Sequence, residues 1–193
     1  EKEVQELCRK YDRSFEETKA WYNGYELAVV EAQKPKVYAM YNPKSVVDAM
    51  LSGVFDNYWN QTETYEALKV YICMNFDGLK DAVVRMLADD RVQINTGTFS
   101  NDMTSFQSRD DILTLLVHLG YLSYHWPDKT VTIPNKEVSQ EYVNAISTMN
   151  WNEVIHSVEA SRKLLQDLWS MNADAVADGI DRAHREISIL QYN

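Results

Sequence analysis

The segment Asp110–Val138, DDILTLLVHLGYLSYHWPDKTVTIPNKEV, constrains this chain more than any other. Ile112, Leu113, Leu115, Leu116, Val117 and Leu119 crowd one run, so a helix built from it must be buried on most sides. Ser108-Arg109-Asp110-Asp111 supplies the N-terminal cap, where acidic side chains also suit the helix dipole. Gly120 supplies the left-handed stop. Two short alternating stretches follow, around Tyr121–His125 and Thr130–Ile133, joined by the turn Trp126-Pro127-Asp128-Lys129.

A helix running into a two-stranded hairpin reads as the second half of a winged-helix unit. Many such helices enter DNA, and that use needs a basic face. Here only Arg109 and Lys129 are positive, and the whole chain carries a formal net charge of −10. Phosphate backbones are repelled on average, so nucleic acid is not the expected partner of this segment.

The remainder reads as mostly helical, with minor β structure. Val4, Leu7, Cys8 and Tyr11 fall at helical spacing, and Ser14-Phe15-Glu16-Glu17 is a capping box opening a helix that stops at Asn23-Gly24. Residues 28–36 mix small, charged and proline residues and read as a loop. Asn42-Pro43 starts a helix expected to bury Val46, Val47, Met50 and Leu51 before Gly53. Helices follow near 62–75 and 77–88, then a short strand at Val92 and Ile94 within an extended connection over 91–106. Pro134-Asn135 starts a helix through Val138, Tyr142, Val143 and Ile146. An αα-hairpin ends the chain, turning at Met171–Asp174. Its first helix is capped at Asn150-Trp151 and places Trp151, Val154, Ile155, Val158, Leu165, Leu168 and Trp169 on one face. Val176, Ile180, Ala183 and Ile187 mark the second. The organisation expected is a helical lid-like region over 1–106, a winged-helix-like unit over 107–149 and a helical linker hairpin over 150–193.

Catalytic chemistry has little to stand on. Phosphate binding by a loop needs a Gly-rich turn leading to Lys and Ser or Thr, and six glycines with no Gly-Lys pair do not provide one. The histidines at 118, 125, 156 and 184 have no partner at metal-ligand spacing. His118 reads as a core or interface residue and His125 as a wet edge-strand residue. Cys8 and Cys73 read as buried free thiols. Glu17-Thr18-Lys19 and Pro127-Asp128 mimic the halves of a metal-dependent nuclease signature. Their order is reversed, however, and they fall on a helix and a turn. No catalytic, metal or cofactor residue is assigned. The interaction candidates are the half-polar aromatics and their neighbour, Trp21, Tyr22, Asn23, Tyr25, Tyr41 and Trp59, which suit either a contact surface or the sealing of helix ends. No signal peptide or membrane-length apolar run is read, so the expected location is the cytoplasm.

Five motifs occur in one order: WYNGYEL (21–27), YNPKSVV (41–47), YW (58–59), DILTLLVHLGYLSY (111–124) and IPNKEV (133–138). In this they resemble the middle of bacterial AAA-ATPase-like proteins that carry a C-terminal PD-(D/E)XK-type nuclease domain. The resemblance covers residues 1 to about 150, and the linker more weakly. It implies a fragment of a longer chain, with an ATP- and Mg-binding core before Glu1 and nuclease carboxylates after Asn193. The expected role is then a non-catalytic regulatory module whose partners are those two domains. A nucleic-acid-binding winged helix and a ligand sensor lined by the aromatics are the alternatives. Oligomeric state is not legible.

Overall fold

A computed structural model describes residues 1–31, 34–59, 65–74, 76–99, 106–147 and 152–190. The chain divides into two units, Glu1–Met149 and Asn150–Asn193. The architecture is mainly helical, with two small antiparallel sheets.

The first unit opens with α1 (Lys2–Tyr11) and α2 (Phe15–Tyr22). Ser14 Oγ caps α2 by accepting from Glu17 N at 3.2 Å. α3 (Pro43–Ser52) starts at Asn42, with proline in its first turn, and stops at Gly53, whose φ of 78° is left-handed. These three helices bury Cys8, Tyr22, Val46, Ala49 and Met50 together. Val47 and Leu51, expected in the core, are instead exposed, at 47% and 67%. The buried stripe of α3 is narrower than its apolar content because only one side faces α1 and α2.

Between α2 and α3 the expected loop is a hairpin. β1 (Tyr25–Glu31) pairs antiparallel with β2 (Lys34–Met40), Tyr25 opposite Met40 and Glu31 opposite Lys34. Charges and Pro35 disguised it. The strands are nevertheless rich in Val and Tyr, and β2 has no second partner strand among the described residues, so a proline's missing N–H is tolerated at its outer edge.

Helices α4 (Tyr65–Ile72) and α5 (Leu79–Leu87) lead to β3 (Val92–Gln93) and a single 3-10 turn at Thr96–Thr98. Cys73, just past α4, is a free thiol but an exposed one, whereas Cys8 is buried. α6 (Arg109–His118) is the apolar helix, and its residues 111–116 are buried without interruption. β4 (Ser123–His125) and β5 (Thr130–Thr132) follow, and β3 joins them in the order β3-β5-β4. α7 (Lys136–Ser147), capped by Asn135 Oδ1 at 3.0 Å from Val138 N, packs against α2 and α4.

The second unit is the antiparallel pair α8 (Asn152–Trp169) and α9 (Ala173–Leu190). Met171, at φ 55°, turns the chain, and Asn172 Oδ1 caps Ala175 N at 3.3 Å. The cap read at Asn150-Trp151 lies outside the described residues. Leu165, Leu168 and Trp169 are each more than half exposed. Within this unit a helix has one neighbour to pack on, which covers only part of a wide apolar face.

Asp111 closes the α6 capping box. Its carboxylate accepts from Gln107 N (2.9 Å), Ser108 N (3.1 Å) and Thr98 Oγ1 (3.1 Å). Burial alone would raise its pKa, but these donors outweigh burial and hold it below the usual aspartate value. A depressed carboxyl pKa stabilises the fold above the unfolded value and loses that contribution as pH falls through the folded one. Asp111→Asn should therefore cost roughly 1–2 kcal/mol at pH 7 in urea unfolding, a deficit that shrinks as the pH drops below about 4. A deficit independent of pH would contradict this reading of Asp111.

Candidate functional site, a buried carboxylate junction

Glu137 and Glu141 lie one turn apart on α7, and both are fully buried. Glu137 is the centre of the arrangement. Its Oε1 accepts from Ser45 Oγ at 2.7 Å and from Tyr58 N at 2.9 Å, and its Oε2 from Asn42 Nδ2 at 3.4 Å. The Trp59 N–H, which it shares with Asn57 Oδ1, is a fourth donor. Burying a carboxylate costs several kcal/mol, and hydrogen bonds to a charged group return about 1.5–3 kcal/mol each, so four donors are the scale required. Glu141 accepts from Asn57 Nδ2, while Asn57 Oδ1 accepts from Trp59 N at 3.0 Å.

The five sequence motifs meet here. Asn42 N donates to Tyr22 O at 2.9 Å, tying WYNGYEL to YNPKSVV. The Tyr22 hydroxyl donates to Asp56 O (3.0 Å) and accepts from Asp56 N (3.2 Å), fixing the loop that carries Tyr58 and Trp59. Tyr25 reaches across to donate to Gly120 O at 2.8 Å. The Trp59 ring lies edge-on to Tyr121, centroids 6.0 Å apart, and covers Gly120, where an added Cβ would come within 3.0 Å of it. Gly24 sits at φ 111° directly against Pro134, whose carbonyl oxygen would be 1.7 Å from any Cβ. No side chain can occupy that space.

Of the interaction candidates, Tyr22 is wholly buried, and Trp21, Asn23, Tyr25, Tyr41 and Trp59 are partly buried. Tyr22 packs its ring against Trp21, Phe55 and Tyr58, so these rings fill space. Asn23 and Tyr25 alone among the six reach a cleft, of about 290 Å³, also lined by Glu26, Arg91, His125 and Thr132. Comparison of the chain with protein-family models, with curated proteins and with solved structures found no match. The role of these residues is therefore argued from their geometry.

Of the two histidines of the α6–hairpin segment, His118 lies outside the core and His125 differs from expectation. His118 is exposed at the end of α6 and stacks on Phe99 at 5.5 Å. His125 is buried rather than wet. Its Nε2 lies 2.8 Å from Thr132 Oγ1 and its Nδ1 3.1 Å from Glu26 Oε1. β4 is an edge strand, but β1, whose residues 28–31 read as loop from sequence, covers it. Among the described residues no group of three His, Cys, Asp or Glu could hold a metal ion. Lys19 pairs with Glu1, and Asp128 with Arg91, so each nuclease-like fragment is engaged elsewhere.

Sequence reasoning missed Glu137 and Glu141. The signal was present: Val138, Tyr142, Ala145 and Ile146 mark the buried stripe of α7, and Glu137 and Glu141 fall on the same stripe.

Burial raises the pKa of Glu137, and donors from Ser45, Tyr58, Trp59 and Asn42 only partly oppose it. Glu141 is raised by burial and by the neighbouring Glu137 charge, against Asn57 and Lys69. A carboxyl whose folded pKa is raised contributes most at or below the unfolded value and loses it as pH rises through the folded one. Glu141→Gln keeps an acceptor for Asn57 and removes the charge. Its stability relative to the parent chain should thus improve as pH rises from the ordinary glutamate pKa of 4.5 toward 7.5, measured by urea unfolding; parallel pH profiles would contradict it. Glu137→Ala strands four donors and should cost about 3 kcal/mol or more at pH 7. A cost under about 1 kcal/mol would show that the junction does not hold the fold.

Proposed function

We propose that this segment is a non-catalytic coupling module of an AAA-ATPase-like protein, standing between a nucleotide-binding core and a nuclease-like domain. The observation that carries the reading is the Glu137 junction. Its donors join α3 and the 53–59 loop to the start of α7, while separate bonds and close contacts tie in α2 and the end of α6. Transmission of rigid-body movement needs elements locked in this way rather than reactive groups. The order of the five motifs adds the resemblance, under which ATP and Mg would belong to the core.

The winged-helix-like reading of the middle of the chain draws support from topology. A helix leads into a hairpin, and the second strand of that hairpin pairs with a short strand from ahead of the helix. Insertion of that helix into DNA is not favoured. Residues 111–116 of α6 are buried on every side, and Arg109 is paired with Asp110 at 3.1 Å.

The reading is tested in the full-length parent. Its frame should encode a Gly-Lys-Ser/Thr loop upstream and an Asp…Glu-x-Lys strand pair downstream. Glu137→Ala should leave nucleotide binding by the core intact while lowering nucleotide-dependent nuclease activity by about ten-fold or more. Nucleotide hydrolysis by the segment alone, surviving purification controls, would overturn it.

A further inference from the structure

A second cleft, of about 270 Å³, opens where β1 meets β4 and shares only Tyr25 with the junction residues. Ala28, Val117, Leu122 and Trp126 give it an apolar wall. Trp126 is 52% exposed, a large indole left half in water at the tip of the β4–β5 hairpin. Val37, opposite Ala28 in the β1–β2 register and therefore on the same face, is 44% exposed and extends the patch outward. Surface-exposed indoles beside an apolar recess are the usual anchors of protein recognition.

Three further observations define what would fit. β1 pairs only with β2 and β4 only with β5, and although β1 packs on β4, no backbone hydrogen bond joins those two strands among the described residues. Ser123 lines the cleft, is 2% exposed, and its hydroxyl has no hydrogen-bond partner. Glu26, which meets His125 through Oε1 and keeps a third of its side chain exposed, is the one charged residue among the described lining residues, on a chain of net charge −10.

We infer that this cleft docks an extended peptide of a partner protein, with an aromatic or aliphatic anchor set against Trp126 and an adjacent lysine or arginine facing Glu26. Unpaired edges supply backbone donors and acceptors to an extended chain, and a recess supplies side-chain selection, which is the division of labour in strand-addition recognition. An acidic peptide would meet Glu26 and the negative field of the chain and be rejected.

Fluorescence anisotropy with a fluorescein-labelled KVTWTVK peptide tests this on the whole chain, with EVTWTVE as the charge-reversed control. Binding in the range of about 10–100 μM is expected, typical of one short docked strand. Trp126→Ala, Val37→Asp and the acidic peptide should each weaken it by about ten-fold or more. Trp126 and Val37 are exposed, so unchanged thermal melting of both variants serves as the folding control. Absence of binding at 1 mM peptide (about −4 kcal/mol of affinity) overturns the inference. So does equal affinity for the two peptides, or binding unaffected by both substitutions. Self-association of the chain that Val37→Asp abolishes would reassign the face to a second copy.

Discussion

One buried carboxylate governs the arrangement of the first unit. Glu137 has no access to water, so its charge is supportable only where donors converge on it. Those donors come from the start of α3 and from the 57–59 stretch, far from α7 in sequence. Folding must bring all of them together or leave an uncompensated charge. That requirement is directional, unlike apolar burial, and it fixes how the helices meet.

The close approaches around it follow. Gly24 lets the end of α2 touch Pro134 just ahead of α7, and Gly120 lets the Trp59 ring lie on the end of α6. Tyr25 and Tyr22 each bury an aromatic body and use the hydroxyl to bond a backbone group from another element. Burial drives both phenols above the usual tyrosine range, so they serve as neutral donors. The aromatic richness of the motifs is thus put to structural use. Such side chains span an apolar core and still satisfy a distant polar group.

The acids of this unit pull in opposite directions with pH. Asp111, surrounded by donors at a helix N-terminus, favours the charged form and stabilises above its ordinary range. Burial raises the pKa of Glu137 and Glu141, side by side on α7, so their contribution is greatest at or below the ordinary glutamate value and falls as pH rises. The α6 cap is therefore best satisfied where the junction is most stressed.

Much of the local structure was legible from the chain itself. Ser14, Asn42, Ser108 and Asn135 mark helix starts because a side-chain oxygen satisfies an amide three residues on, a rule that needs no tertiary information. Gly53 and Gly120 mark stops through their left-handed backbone. The apolar run of α6 dictated its burial. What failed depended on distant partners. The β1–β2 hairpin looked like a loop because strand pairing is non-local, and Pro35 is harmful only if its edge is paired. With that hairpin unseen, His125 looked wet. Val47 and Leu51 are as apolar as Val46 and Met50, and only the position of α1 and α2 decides which pair is covered. Glu137 was the largest loss to sequence reading. A glutamate on an apolar stripe is costly until its donors arrive, and those donors sit some eighty to ninety-five residues away. Sequence alone determined where the side-chain-capped helices begin, because capping is local. The tertiary structure decided what the five motifs do, because Glu137 takes its donors from YNPKSVV and YW, and WYNGYEL and the end of α6 pack around those two.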